Sequence, residues 1–494
     1  MPKQIQWTAR EKRRAVYSAV GRNFLKSLTE PLTNADSILK KLAGVPHAAG
    51  LVDLMLKLKI NEHLNTTELK KSVKKAVPRK IKVEITTVGR QRLCRVIDSG
   101  LGMTGAELED KFGTYASAKA KGEQTRSLFG RGALDVLLYH EKSIIYSVKD
   151  GILSSCRIYW RKGDAGDPMN DAKELGQVTK KLLETNGLPS EITSHGTVVE
   201  FTLREGTHVP VEEQIISKIS SFYMLRLIAA DPNTEVEIER TRSDGKHSDL
   251  LRYDFPLGVV LGRFDDTLDL GGLGKLPINI LVARSDVPLE TDPENIERRE
   301  NGLLFIDDND AVLDLTLLPQ YDRSPYLKHI FGIVRVSGFR HVLEAKLEAD
   351  EAEAVLTATR DGFEQKSEIT KKLFALIECH VKPIYEKEEK LQKKGSSTRS
   401  EKLDQRVREA LKAINQFNAD ETEEDGTGNP PTPPRPEPIY FSMDSLRLYA
   451  GTPRRVHVYI NLDAVKEGEI VLFESDRSEI KVEPDSSVTE IKKK

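Results

Sequence analysis

From Arg10 to about Leu58 apolar residues recur at intervals of three and four, as in AVGRNFLKSL and SILKKLAG, a period that predicts helices. Gly44 and Pro46 supply a stop signal. The period then falls to two. KIKVEITTV and RLCRVIDSG alternate or bunch β-branched residues, and Val88-Gly89-Arg90 between them suits a tight connection, so a hairpin ending at Asp98 is predicted. GAELEDKF reads as a helix, GTYASAKAKGEQTRS as a small-residue basic segment, and FGRGALDVLLYH as a turn opening a buried helix. Strands follow in KSIIYSV, SSCRIYW and GTVVEFTL. Helices followed by antiparallel strands predict an α+β arrangement, with helices laid on a sheet face.

A second alternation of strand and helix follows, with strands expected at EVEIER, LPINILVAR, NGLLFIDD and IFGIVRVSGF and a closing helix in EITKKLFALIECHVKPIYEKEEK. It reads as a separate domain over 206–386, after a first domain over 1–205. Residues 387–438 begin as a charged helical stretch and end in NADETEEDGTGNPPTPPRPEP, whose acidic, proline-rich and glycine-rich composition is that of an extended linker. The strand-like runs in 439–494 suggest a small, partial β-sandwich.

The chain has 494 residues, more than one hydrophobic core organises, which supports this division. With 75 basic and 77 acidic residues the net charge is −2, so bulk charge points neither to nucleic acid nor to a membrane. Three separated cysteines, Cys94, Cys156 and Cys379, give no disulfide framework or zinc pattern and fit a reducing, cytoplasmic setting. No run is apolar enough to span a bilayer, and no membrane partner is expected.

Four separated signals carry chemistry. In EPLTNADSIL, Glu30 and Asn34 fall on one helical face, able to hold a metal and a water, with Asp36 round the corner as a weaker candidate or a solvated or capping carboxylate. In VIDSGLGM, Asp98 ends a strand and Gly100 and Gly102 clear the way for a flat ligand, whose exocyclic amine a carboxylate can accept from. In FGRGALDVLL, Gly130 and Gly132 precede a helix whose unpaired N–H groups and dipole suit phosphate. In HGTVVEFTL, Thr197 offers a hydroxyl on a late strand.

In this order the four resemble the motifs of the GHKL ATPases, built on the Bergerat nucleotide-binding fold. The family's Glu-x-x-x-Asn matches EPLTN, its Asp-x-Gly-x-Gly matches DSGLG, its second glycine box matches FGRG, and its late Gly-Thr matches Gly196-Thr197. The resemblance covers roughly residues 15–205 and is closest in style to the MORC, heat-shock-chaperone and MutL branches. It implies an ATPase that uses ATP and Mg2+. Glu30 is then the general base, Asn34 the magnesium ligand, and Asp98 the reader of the adenine amino group, beside Gly100, Gly102, Met103 and Thr197. Ser117 and Lys119 would belong to a lid over 103–128, and Gly130, Arg131 and Gly132 to the phosphate cradle. The following domain would be a transducer of ribosomal-protein-S5-like fold that brings Arg360, in TATRDGF, to the terminal phosphate.

One residue departs from the pattern. Pro31 follows the expected general base, so either a helix begins near it or the helix is kinked there. The function implied is an ATP-gated clamp, an ATP-dependent homodimer with slow hydrolysis, in a DNA-related or defence process and with DNA or a partner protein as further partner. The alternatives are a chaperone machine acting on proteins and a regulatory ATP sensor with little hydrolysis.

Overall fold

The computed structural model describes residues 9–44, 50–75, 77–88, 91–113, 132–161, 167–242, 245–292, 299–348, 355–357 and 362–393, and four short strands beyond residue 438. The architecture is mixed α+β, as the two periods predict. Two compact units divide near residue 398. In the C-terminal unit the described residues are two antiparallel strand pairs, Ile439–Phe441 with Val458–Ile460 and Ile470–Leu472 with Val488–Glu490. The linker expected over 387–438 lies, from residue 394, outside the described residues.

The first unit holds an eight-stranded and a six-stranded sheet. In the eight-stranded sheet the order is Pro168–Gln177, Ile152–Trp160, Glu141–Lys149, Gly196–Thr202, Gln91–Asp98, Arg79–Val88, Thr234–Arg242, Gly245–Leu250. Arg79–Val88 and Gln91–Asp98 form the hairpin that the alternation predicts, with Ile81 opposite Asp98. EVEIER, expected in the second domain, instead joins this sheet, running parallel to Arg79–Val88. Parallel pairing leaves no local turn signal, so its sheet could not be read from the run itself.

Helix Phe24–Leu42 lies on this sheet. Asn23 caps it, its side-chain oxygen accepting from Leu25 N–H at 2.8 Å and Lys26 N–H at 3.2 Å, two of the amides that a helix start leaves unpaired. Phe24, Leu28, Leu32 and Leu39 are buried with Ile81, Val83 and Val96, so the helical period and the strand period meet in one core. Because the helix starts at Phe24, Pro31 is an interior residue and not a helix-opening one. On the opposite sheet face Leu183, Leu188 and Ile192 pack against Ile97, Val148 and Val198.

The six-stranded sheet runs in the order His63–Leu64, Gly258–Asp269, Lys275–Ser285, Ile330–Val336, Gly302–Ile306, Val312–Thr316. Its second layer is a helix over 368–393, whose Ile369, Leu373, Ile377, Val381 and Tyr385 recur every fourth residue and are buried against the sheet. His63–Leu64, from the N-terminal region, pairs with Val259 and Gly258, and Arg335 on Ile330–Val336 meets Asp53 at 2.6 Å. Among the described residues no helix is long and apolar enough to cross a membrane.

Buried His140 fastens the start of helix Phe24–Leu42 to the end of helix Gly132–Tyr139. Its Nδ1 accepts from Arg204 N–H at 3.2 Å, which leaves Nε2–H to donate to Ser27 Oγ at 2.8 Å, and Ser27 in turn donates to Asn23 O at 2.9 Å. The ring stacks on Phe201 at 4.6 Å. Burial, reinforced by the nearby Arg204 charge, lowers its pKa to about 3. The unfolded chain therefore binds this proton between about pH 3 and 6.5 and the fold does not, so His140 makes stability fall with acidification, by up to about 1.4 kcal/mol per pH unit. Replacing it in His140→Gln is expected to flatten the acid limb of urea-midpoint stability below pH 6.5, and an unchanged slope would count against this account.

Candidate functional site

The loop after Asp98 has almost no room for side chains. Gly102 has φ +67, and a Cβ there would lie 1.8 Å from the Val148 carbonyl oxygen, so its backbone rests directly on strand Glu141–Lys149. A Cβ on Gly100 would meet Ile38 Cγ2 at 2.7 Å and Asp98 Oδ1 at 2.6 Å, so this part of the loop rests on helix Phe24–Leu42. Thr104 and Glu107 close the loop with a capping box: Thr104 N–H donates to Glu107 Oε2 at 2.7 Å, and Glu107 N–H donates to Thr104 Oγ1 at 3.2 Å. TGAE is the sequence signal for that box, and the helical period alone does not reveal it.

Asp98 is 7% exposed, and its Oδ1 accepts from Gly100 N–H at 2.7 Å. Burial raises its pKa to about 6, against the opposing pull of that hydrogen bond and of Lys111. Directly across the sheet from Asp98 stands Thr197, and across from Thr197 stands Ser147. Ser147 Oγ accepts from Met103 N–H at 2.7 Å and lies 3.3 Å from Gly196 O and 3.4 Å from Thr197 Oγ1. The structure thus gathers Asp98, Gly100, Gly102, Met103 and Thr197 in one place and adds Ser147, which the sequence left as an ordinary strand residue.

Glu30, Asn34 and Ile38 are spaced by four, so they share one face of helix Phe24–Leu42, and contact of Gly100 with Ile38 puts the Asp98 loop at the C-terminal end of that face. Glu30 is half-buried and Asn34 exposed. Gly132 is the first residue of helix Gly132–Tyr139, which packs against helix Phe24–Leu42. Asp36 is corrected: it is neither a solvated nor a capping carboxylate but fully buried, 3.1 Å from Lys40 Nζ, with Thr234 Oγ1 3.1 Å from its Oδ1. Ser117, Lys119, Gly130, Arg131 and Arg360 lie outside the described residues, as does most of the lid expected over 103–128. Among the described residues no three or more His, Cys, Asp or Glu side chains group to hold a metal ion.

No protein-family model matches this chain, and no curated protein matches it either.

Two outcomes follow from the loop. Ionised Asp98 is disfavoured by burial, so the group favours the folded state fully below pH 3.8 and loses that contribution as pH rises through about 6. Asp98→Asn is expected to raise unfolding stability at pH 7.5 by up to about 3 kcal/mol, with the gain vanishing near pH 4 in denaturant titrations. Gly102→Ala is expected to unfold the protein or remodel the loop, whereas Gly44→Ala, also at positive φ but with nothing within 4 Å, is expected to stay folded by circular dichroism.

Proposed function

We propose that the chain is an ATP-binding, slowly hydrolysing ATPase of the GHKL type, with the Bergerat arrangement in its eight-stranded sheet, acting as an ATP-gated dimerising clamp. The observation that carries this is the pairing of Asp98 with Thr197: two motifs far apart in the chain meet as cross-strand neighbours beside a loop stripped of side chains. A buried carboxylate at that position accepts from the amino group of adenine and repels the carbonyl oxygen that guanine carries at the same place. Thr197 supplies a neighbouring hydroxyl for a ring nitrogen.

The helix face fits the remaining chemistry. Mg2+ takes hard oxygen ligands and keeps most of its shell for water and phosphate, so a single exposed amide oxygen, that of Asn34, suits it beside the Glu30 carboxylate. Bound there, the ion would neutralise phosphate charge. Glu30 would hold the attacking water and take its proton, and the N-terminal amides of helix Gly132–Tyr139 would receive the phosphates. The S5-like role of the six-stranded sheet, and delivery of Arg360 from it, are part of the same proposal, as is a DNA-related or defence setting, which rests on family resemblance.

Calorimetry and light scattering with ATP–magnesium, GTP and a non-hydrolysable ATP analogue test this. Wild type is expected to bind ATP in preference to GTP, to lose about tenfold in affinity between pH 7 and pH 5 as Asp98 takes up its proton, and to dimerise with the analogue. Asp98→Ala is expected to bind nothing, and Glu30→Ala to dimerise with ATP itself without hydrolysing it. Full ATP affinity in Asp98→Ala would sink the assignment. Binding with no change of mass would replace the clamp with the regulatory sensor.

A further inference from the structure

Helix Phe24–Leu42 carries Glu30 and Asn34 in its middle, and its C-terminal half holds a buried cation, Lys40, whose side chain is only 5% exposed. Three carboxylates surround its Nζ: Asp36 at 3.1 Å on the same helix, Asp231 at 3.6 Å just before strand Thr234–Arg242, and Asp310 at 3.9 Å. Asp310 belongs to the turn between Gly302–Ile306 and Val312–Thr316 of the six-stranded sheet. The contacts continue outward: Arg79 Nη2 meets Asp231 at 2.8 Å and Thr234 Oγ1 at 2.9 Å, and the Thr234 hydroxyl lies between Asp231 and Asp36. The turn is itself tightly bonded, with Asp307 Oδ1 accepting from Asn309 N–H and Ala311 N–H, each at 2.8 Å.

We propose that Lys40 is a positioning residue that sets the axial rotation of the Glu30 helix from the six-stranded sheet. The helix is continuous from Glu30 to Lys40, the rung missing at Pro31 being the one back to Ser27, so a turn at Lys40 is passed to the faces that bear Asn34 and Glu30. Lys40 is fastened at once to the eight-stranded sheet through Asp231 and to the six-stranded sheet through Asp310. A shift of the Asp307–Ala311 turn therefore turns or releases the helix, and with it the aim of Glu30, while Asp98 keeps its place in the sheet opposite Thr197 and Gly102 and Met103 stay on strand Glu141–Lys149. The consequence for catalysis rests on the proposed nucleotide role of Glu30 and Asn34; the ionic bridge itself does not.

The test uses the full chain and the variants Lys40→Met, Lys40→Arg and Asp310→Asn. In Lys40→Met, kcat for ATP is expected to fall about tenfold or more while the ADP dissociation constant changes by less than about twofold, and Lys40→Arg is expected to recover most of the loss. Asp310→Asn should lower kcat in the same sense and add little on top of Lys40→Met, as two ends of one link do. Where Lys40→Met does not fold, Asp310→Asn carries the comparison. A folded variant of either kind with wild-type kcat would overturn the proposal. Hydrogen exchange without nucleotide separates the two levels: faster exchange at 308–311 in Lys40→Met supports the bridge even if ATP proves not to be the ligand. Unchanged exchange there overturns the bridge whatever nucleotide does.

Discussion

The backbone of Gly102 pressed against the backbone of strand Glu141–Lys149 is the contact on which the candidate site depends. A Cβ at Gly102 would lie 1.8 Å from the Val148 carbonyl oxygen, so only a glycine backbone allows the loop and strand to touch. Once they touch, Met103 N–H reaches Ser147 Oγ, Ser147 reaches the Gly196–Thr197 strand, and Gly100 is driven onto Ile38. Asp98, beside this loop, is left 7% exposed. Close approach of backbones thus sets both the shape of the site and the electrostatics of its one buried acid.

That acid and His140 are buried in the same unit with opposite consequences. Burial raises Asp98 to about 6 and lowers His140 to about 3, so each favours its neutral form in the folded protein. His140 has a complete set of partners for the neutral ring, a donor to Nδ1 and an acceptor for Nε2–H. Asp98 is different: the backbone N–H of Gly100 serves one oxygen, and cross-strand Thr197 brings a hydroxyl close by. A satisfied neutral group is a structural strut. A carboxylate held in a low-dielectric setting gains more from an incoming donor than the same group in water would, which is the usual trade of folding stability for binding.

Much of this was legible in sequence, and the failures have physical causes. An alternating strand with one buried face, such as Arg79–Val88, announces itself because half its residues must be apolar. Pro168–Gln177 does not, since it is an edge strand whose residues are exposed or half-exposed throughout, and PMNDAKELGQ carries no period that burial would impose. EVEIER was legible as a strand but not as a member of the first sheet. Glu30, Asn34, Asp98 and Thr197 could be picked out because glycines and spacing mark them. Ser147 and Lys40 could not, because their meaning comes from partners that only folding supplies: Thr197 across a strand pair, and Asp310 on another sheet.

Pro31 gains its sense from the same distribution of constraints. A proline inside a helix removes the amide that would bond the carbonyl four residues back, here that of Ser27. Hydroxyls work on the ladder on either side of it, Thr29 Oγ1 donating to Leu25 O at 3.0 Å and Thr33 Oγ1 to Glu30 O at 3.1 Å, a kind of back-bonding that loosens and bends helices. The weakened stretch is the one that bears Glu30 and leads to Asn34. Its two ends are firm: Asn23 and the Ser27–His140 bond hold the start, and Lys40 with its three carboxylates holds the finish. A helix gripped at both ends and missing the rung from Pro31 to Ser27 yields there when the Lys40 grip moves, so the turns from Glu30 to Lys40 move together. Local rules are broken there while the neighbouring turns obey them.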